Sequence, residues 1–381
     1  MKNTLILLGD SYCVFNPLQN YAFRCAKKIL GAIPKVYFLD IKDSQWEKNL
    51  IKSLKQTSNC LIFGENYEEI LNLIYQSQLT QWTCHKQKKG YILTSRRKKI
   101  FLFSSVCDLE ITPQIPSKSQ ILSEPEILPE NSLKIPPKTL PNPKISLYSP
   151  KQPPFLILYF LGIDSQSGII LLSALAQKCG VFLSALEYQE GLEICFAFGE
   201  DLDLFKQEAQ GLLTHKVVIT SNLAQTIIEL LKANHQKITT AESCTGGLMA
   251  YFLTQESGAS EVFDGGVISY ANIIKETWLK VSAENLKLYG AVSEAVVGEM
   301  LQGALELSGA DFAIATSGIA GPTGGTPTKP VGTIFIGAKA RSGTQIIERI
   351  VFRGDRKYIQ EQACLSAYLL FLKIFLSEKS L

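Results

Sequence analysis

What the chain lacks narrows its class before any motif is considered. No stretch of its 381 residues approaches the ~20 uninterrupted apolar positions that a membrane helix needs. The longest candidates, 155–163 and 369–376, are short, and Lys373 interrupts the second, so no membrane span is expected. The opening MKNTLILLGDSY holds one lysine and a short apolar run, too little for a signal-peptide core and more like a first buried strand. A cytoplasmic location is the expectation. Nine cysteines, at 13, 25, 60, 84, 107, 179, 195, 244 and 364, stand singly with no C-x-x-C pair, which suggests neither a disulfide framework nor a zinc site. Only three histidines are present (His85, His215, His235), so histidine chemistry starts with few candidates, and neither a metal nor another cofactor is expected.

Material for buried cores is ample, because apolar residues make up 46% and charged residues 19% of the chain. At ~150 residues per domain the length implies two to three domains. The formal charge of +3 conceals a gradient: residues 1–107 hold 16 basic and 7 acidic side chains, 108–220 hold 8 and 13, and the remainder 14 and 15. Much of the N-terminal excess lies in KQKKG (86–90) and SRRKKI (95–100), which either meet an acidic partner or form a solvated hairpin rim. No aromatic-basic or zinc-finger signature accompanies them, so nucleic acid is not expected as a partner.

Residues 113–154 carry eleven of the sixteen prolines among Ser, Lys and Glu, a composition that favours extended chain and reads as a linker. Before it, 1–112 alternates strand-like runs (LILLG, KVYFLDI, SNCLIFGE) with helical spacing at 21–30, which predicts an α/β domain with a parallel sheet. After it, 155–215 reads as a small α+β unit: a strand FLILYFLGI, a helix over 168–179, a hairpin about Gln189-Glu190-Gly191 and a helix over 201–213. The last unit, 216–381, opens with Ser221 as a helix cap, and short strands ITTAE, FDGGVISYA, DFAIATSG, VGTIFIGAKA and IIERIVF alternate with helices near 248–254, 293–308 and 356–376. The chain is expected to be a multidomain α/β protein.

Four glycine-rich or polar junctions punctuate the last unit where strands should end: AESCTGG (241–247), SYANIIK (269–275), SGIAGPTGG (317–325) and RGDR (353–356). In open α/β sheets ligands bind outside the carboxyl ends of strands, so one pocket can draw on all four. At the first, Ser243, Cys244 and Thr245 precede Gly246 and Gly247, which places a hydroxyl or thiol beside main-chain N–H groups at a helix start. The plain alternative is a Ser or Thr helix cap with glycines for a tight turn. The third junction, with Gly321, Gly324 and Gly325, lets main chain approach a phosphate or ribose, unless it is an ordinary surface loop. Arg356 offers a bidentate fork for an anion or is a surface arginine at a helix start. Lys275 and Tyr270 taken singly read as a solvated lysine and a packed strand-end aromatic.

From TTAESCTGG through GGVISYANIIK, YGAVSE, SGIAGPTGG and KPVGTIFIG to FRGDR, the chain resembles the CinA family, whose C-terminal domain is a nicotinamide mononucleotide deamidase. The resemblance implies hydrolysis of the carboxamide of nicotinamide mononucleotide to nicotinic acid mononucleotide and ammonia without a cofactor, in pyridine nucleotide salvage. It makes Ser243 the nucleophile, Lys275 its base and Tyr270 the third member, with Ser317 and Arg356 in substrate binding beside Gly246, Gly247, Gly321, Gly324 and Gly325. Full-length members carry a molybdopterin-binding type domain first and a small KH-like domain in the middle, the order expected above. Here LILLGDSYC resembles the start of that first domain, but SNCLIFGENYEEIL stands where a glycine-rich segment with paired aspartates belongs. A degenerate domain without dinucleotide pyrophosphatase activity is expected, since only Asp10, Asp40, Asp43 and a few glutamates could hold metal. A homo-oligomer is the expected state, and a non-catalytic nucleotide sensor is the alternative.

Overall fold

The computed structural model describes residues 3–379 other than 10–11, 13–14, 32–34, 40–43, 65–66, 78–81, 88–89, 96–97, 104–153 and 190–191. The linker expected over 113–154 therefore lies outside the described residues except for Pro154, as do Asp10, Asp40 and Asp43. The chain is a mixed α/β protein that divides into two compact units, 1–152 and 153–381.

In the first unit β1 (Asn3–Leu8), β2 (Lys35–Leu39), β3 (Asn59–Phe63), β4 (Thr83–Gln87), β5 (Gly90–Thr94) and β6 (Lys99–Phe103) form one sheet in the order β2-β1-β3-β6-β5-β4. Strands β2, β1, β3 and β6 are mutually parallel, while β5 and β4 close the sheet antiparallel, and the helices α1 (Asn16–Leu30), α2 (Trp46–Lys55) and α3 (Tyr67–Gln76) alternate with the parallel strands along the chain. Parallel strands are buried on both faces and read as continuous apolar runs, which is why LILL and CLIF are buried throughout. Strand β4 is exposed along its whole length, so Lys86 belongs to a solvated hairpin edge.

The second unit holds a four-stranded and a five-stranded sheet. The smaller has β7 (Phe155–Phe160), β8 (Val181–Gln189), β9 (Leu192–Gly199) and β10 (Val217–Thr220) in the order β10-β7-β9-β8, all antiparallel, with α4 (Ser165–Lys178) and α5 (Leu202–Leu213). Helix α4 starts three residues before the expected 168, because the Asp164 carboxylate caps it by accepting from the Ser167 N–H at 2.8 Å. Strand β10 pairs with β7, so this sheet runs beyond the expected limit of 215 to Thr220.

The five-stranded sheet contains β11 (Ile238–Glu242), β12 (Gly266–Ile268), β13 (Phe312–Gly318), β14 (Thr333–Ala340) and β15 (Gln345–Val351), ordered β12-β11-β13-β14-β15. The first three are parallel and the last two antiparallel, so the ends of β11, β12, β13 and β15 and the start of β14 share one edge. Helix α6 (Leu223–Ala233) is capped by Asn222, whose side chain accepts from the Gln225 N–H at 3.1 Å; the expected cap Ser221 precedes it. The strand read from FDGGVISYA shrinks to three residues, and the following segment forms α8 (Asn272–Leu279) and α9 (Ala283–Tyr289), two short helices that periodicity did not resolve.

Helix α10 (Glu294–Ser308) packs Val296, Val297, Met300 and Leu301 against Ala241, Ala313 and Ala315 on one face of the sheet. On the other face α11 (Arg356–Glu378) sets Phe371 and Phe375 against Phe312, with ring centroids 5.2 and 5.7 Å apart. By length and composition α11 passes as a membrane span, but 78% of its most apolar window is buried within the protein, the pattern of a central core helix. Glycine is required at 303, where a Cβ would sit 2.0 Å from the Leu279 carbonyl; this close approach seats α8 on α10.

Candidate functional site

All four junctions gather at the shared edge of the five-stranded sheet. Glu242 at the end of β11 is in register with Ile268 of β12 and Thr316 of β13, and Val351 of β15 with Thr333 of β14. The loops that follow therefore converge from strands far apart in sequence.

Ser243 and Lys275, 32 positions apart, meet here: Lys275 Nζ lies 3.1 Å from Ser243 Oγ. Helix α8 buries Lys275 and Leu279, one turn apart, and exposes Ile273 and Trp278, so the lysine points inward rather than to solvent. At 1% exposure Lys275 is among the most buried large side chains, and its remaining hydrogens go to the carbonyls of Ser269 at 2.5 Å and Tyr270 at 3.3 Å. Burial disfavours the ammonium form and lowers the Lys275 pKa from its ordinary value; the nearby Cys244 opposes this in part. A buried amine of lowered basicity, facing a hydroxyl, is a candidate proton acceptor.

Cys244 is buried at 4% exposure, and burial pushes its thiol up to about 12 despite a hydrogen bond from Thr316 that acts the other way. It is neither accessible nor a ready thiolate at neutral pH. Tyr270 contributes its carbonyl to Lys275, while its ring is 66% exposed rather than packed on the core. Ser317 is 1% exposed and its hydroxyl donates to the Ala291 carbonyl at 2.7 Å, so it ties the β13 end to the loop before α10 instead of facing a pocket.

The expectation that the Gly246–Gly247 amides lie open at a helix start needs correction at Gly247. Glu242, wholly buried, turns its carboxylate onto α7 (Leu248–Thr254): Oε2 accepts from the N–H of Gly247 at 2.9 Å and Met249 at 3.1 Å, and Oε1 from that of Ala250 at 2.8 Å. The Thr245 hydroxyl adds a bond of 2.7 Å to Oε2. A built-in anion thus holds the helix start, which the sequence reading missed because Glu242 passed for the last residue of a strand. Gly246 and Gly247 turn the chain with φ of 63° and 100°, a region that favours glycine.

Next to this turn Thr245, Gly246, Gly247, Leu248, Tyr251, Arg356, Lys357 and Gln360 line an open cavity of about 530 Å³. Arg356, exposed at the start of α11, donates to the Gly321 carbonyl at 2.9 Å and so fastens the glycine loop. Gly321 and Gly324 take φ of 79° and 92°, and Gly325 packs against the main chain of Val331. Gln360, absent from the sequence reading, donates to the Cys244 carbonyl at 2.7 Å. Among the described residues no group of three or more His, Cys, Asp or Glu could hold a metal ion.

Comparison with known proteins matches this same region. A family model described as the CinA C-terminal domain covers residues 220–375. A CinA-like protein of Thermotoga neapolitana is 44% identical over 145 residues, 38% of this chain and 35% of its own. A putative competence-damage inducible protein of Caldicellulosiruptor saccharolyticus is 45% identical over 168 residues, 44% of this chain and 41% of its own. The chain therefore spans well under half the length of these curated relatives. Among solved structures, the competence/damage inducible protein CihA from Agrobacterium tumefaciens is 40% identical, with 38% of this chain and 89% of that one covered at a TM-score of 0.38. A CinA superfamily protein from Klebsiella pneumoniae is 39% identical, with 41% and 96% covered at a TM-score of 0.39. All four glycine-rich or polar junctions thus fall within residues 220–375, the region that matches the CinA C-terminal domain and these curated relatives.

Proposed function

We propose that the C-terminal region hydrolyses the carboxamide of nicotinamide mononucleotide, giving nicotinic acid mononucleotide and ammonia. The observation that carries this reading is the buried Lys275 amine 3.1 Å from the Ser243 hydroxyl, with no histidine at the site. Neutral Lys275 takes the Ser243 proton as Oγ attacks the carboxamide carbon, and a tetrahedral intermediate forms. Gly247, Met249 and Ala250 are engaged by Glu242, Ser243 N–H by the Thr316 carbonyl and Leu248 N–H by the Thr245 carbonyl, so the oxyanion draws on the N–H groups of the 244–246 segment. The proton on Lys275 passes to the departing nitrogen, ammonia leaves, and a nicotinoyl ester remains on Ser243. Water, deprotonated by the same amine, attacks the ester and releases the acid and the free serine.

Arg356 and Lys357 supply positive charge at the cavity beside Gly246, the arrangement a nucleotide phosphate requires, while the 321–325 loop held by Arg356 faces the ribose. The Tyr270 ring, exposed beside the lysine, relays the proton to ammonia only if it folds inward over bound substrate. Ser317 acts behind the site by fixing the β13 end. The four-stranded sheet with its two helices fits the KH-like middle domain of the family, and the six-stranded N-terminal sheet a degenerate molybdopterin-binding type domain.

Ammonia release from nicotinamide mononucleotide, set beside calorimetric binding of the same nucleotide, tests the reading. Turnover that Ser243→Ala abolishes is expected. Tight binding without ammonia would reassign the site to nucleotide sensing.

A further inference from the structure

Both partners of the Ser243–Lys275 pair lean on one residue that touches neither side chain. The Glu242 carboxylate accepts from the N–H groups of Gly247, Met249 and Ala250 and from the Thr245 hydroxyl, with Thr240 Oγ1 at 3.4 Å. Those donors bracket the turn that carries Ser243, so the side chain clamps the far side of the nucleophile's loop onto α7. The Glu242 main chain does the matching task for the base: its carbonyl accepts from the Ser269 N–H at 2.7 Å and from Ser269 Oγ at 3.3 Å. The Ser269 carbonyl, turned the other way, is the shortest partner of Lys275 Nζ.

A carboxylate at 0% exposure carries a large desolvation cost, and an N-terminal cap alone does not require it, since Asp164, Asp201, Asn222, Ser282 and Asp355 cap other helices from exposed or half-buried positions. Charge-assisted bonds from several converging donors fix a loop more tightly than one hydroxyl cap does. We propose that Glu242 is a positioning residue for the reaction: its carboxylate locks the 243–247 turn so that Ser243 Oγ stays within hydrogen-bond reach of Lys275. This rests on the reading of Ser243 as nucleophile and Lys275 as base. It makes no use of the nature of the substrate.

The test uses the full-length chain with Glu242→Gln, nearly equal in volume, Glu242→Asp, which withdraws the carboxylate by one methylene, and Asp201→Ala, which removes an ordinary cap of α5. Two readouts are compared: kcat and KM for ammonia release from nicotinamide mononucleotide, and the rate at which a fluorophosphonate labels Ser243. In Glu242→Gln, kcat and labelling rate should fall together by ~10²-fold, the scale of a nucleophile misplaced by about an ångström, while KM stays within about threefold. Glu242→Asp should recover part of both rates, and the pH at which the Lys275-dependent limb rises should not move. Asp201→Ala should lose thermal stability and keep both rates.

Parallel changes in stability and KM with kcat and labelling within about threefold of the parent would overturn the proposal. Loss of the fold in both Glu242 variants would overturn it too, by assigning the residue to stability alone. If the parent labels at Ser243 but releases no ammonia, the substrate reading fails while the labelling comparison still decides the role of Glu242. A parent that neither labels nor turns over removes both.

Discussion

The six-stranded sheet of the first unit and the five-stranded sheet of the last share a design of parallel strands covered by helices, yet they treat polar residues in opposite ways. In the first unit the buried polar side chains among the described residues are Thr4, Ser53 and Thr57, hydroxyls that bond to each other or to nearby main chain. The second sheet buries Glu242, Ser243, Thr245, Ser269, Lys275, Thr316 and Ser317 at one edge, including one full carboxylate and one amine. No ion pair joins those two: the carboxylate is bound by N–H and hydroxyl donors, and the amine by carbonyls and a serine. Burying each separately is costly, so this edge departs from the apolar packing of the first sheet and is where the proposed chemistry is to be tested.

Removing the pair should break this contrast most sharply. Ser243→Ala is expected to lower kcat by ~10³-fold or more, Lys275→Ala by a similar factor, and the double variant by no more than either alone, because the two act as a unit. Steady-state ammonia release on all three variants checks this. Additive losses would show that they do not.

The lowered basicity of Lys275 gives a second, smaller effect with a definite sign. Folding disfavours the protonated amine, so the lysine costs nothing above its unfolded pKa of about 10.5 and costs progressively more as pH falls from there toward its depressed folded value. Lys275→Met lacks that penalty. Its stability relative to the parent should therefore grow as pH falls from about 10.5, by up to ~1.4 kcal/mol per pH unit until the folded pKa is passed. Urea denaturation across that range measures it, and kcat/KM of the parent should rise with pH through the same depressed pKa.

A fragment of residues 221–381 sharpens the comparison between units. Since all four junctions and their supporting helices lie after Thr220, it should deamidate nicotinamide mononucleotide within about threefold of the full chain, whereas residues 1–152 should show no turnover. The smallest change is expected at Cys244→Ala, where loss of a buried thiol should cost roughly 1 kcal/mol in a thermal or chemical melt and leave kcat within about threefold. Thiol alkylation of the native protein should be slow at that position, as its burial and raised pKa require.

Much of this was open to reading from the residues. Period-2 and continuous apolar runs placed β1, β3, β11, β13, β14 and β15, and the range 248–254 coincides with α7. The misses have physical causes. Helices α8 and α9 run eight and seven residues, too short for a clear 3.6-residue pattern, and both follow a strand that pairs over only three. Asn222 displaced Ser221 as a cap because either residue type caps well, and the choice depends on which main-chain N–H comes within reach.

The sequence by itself determined most of the strands, the placing of the four junctions at strand ends and which side chains, Ser243, Lys275 and Arg356 among them, are candidates for reaction or binding. It could not determine which N–H and hydroxyl groups were already engaged. That Gly247 is taken by Glu242, that Ser317 faces Ala291, that Tyr270 stands in solvent and that Lys275 is dry were decided by the tertiary structure. The physical reason is that a hydrogen-bond partner or a desolvated charge depends on distances between strands remote in sequence, and those distances exist only once parallel β11, β12 and β13 bring their carboxyl ends to one edge.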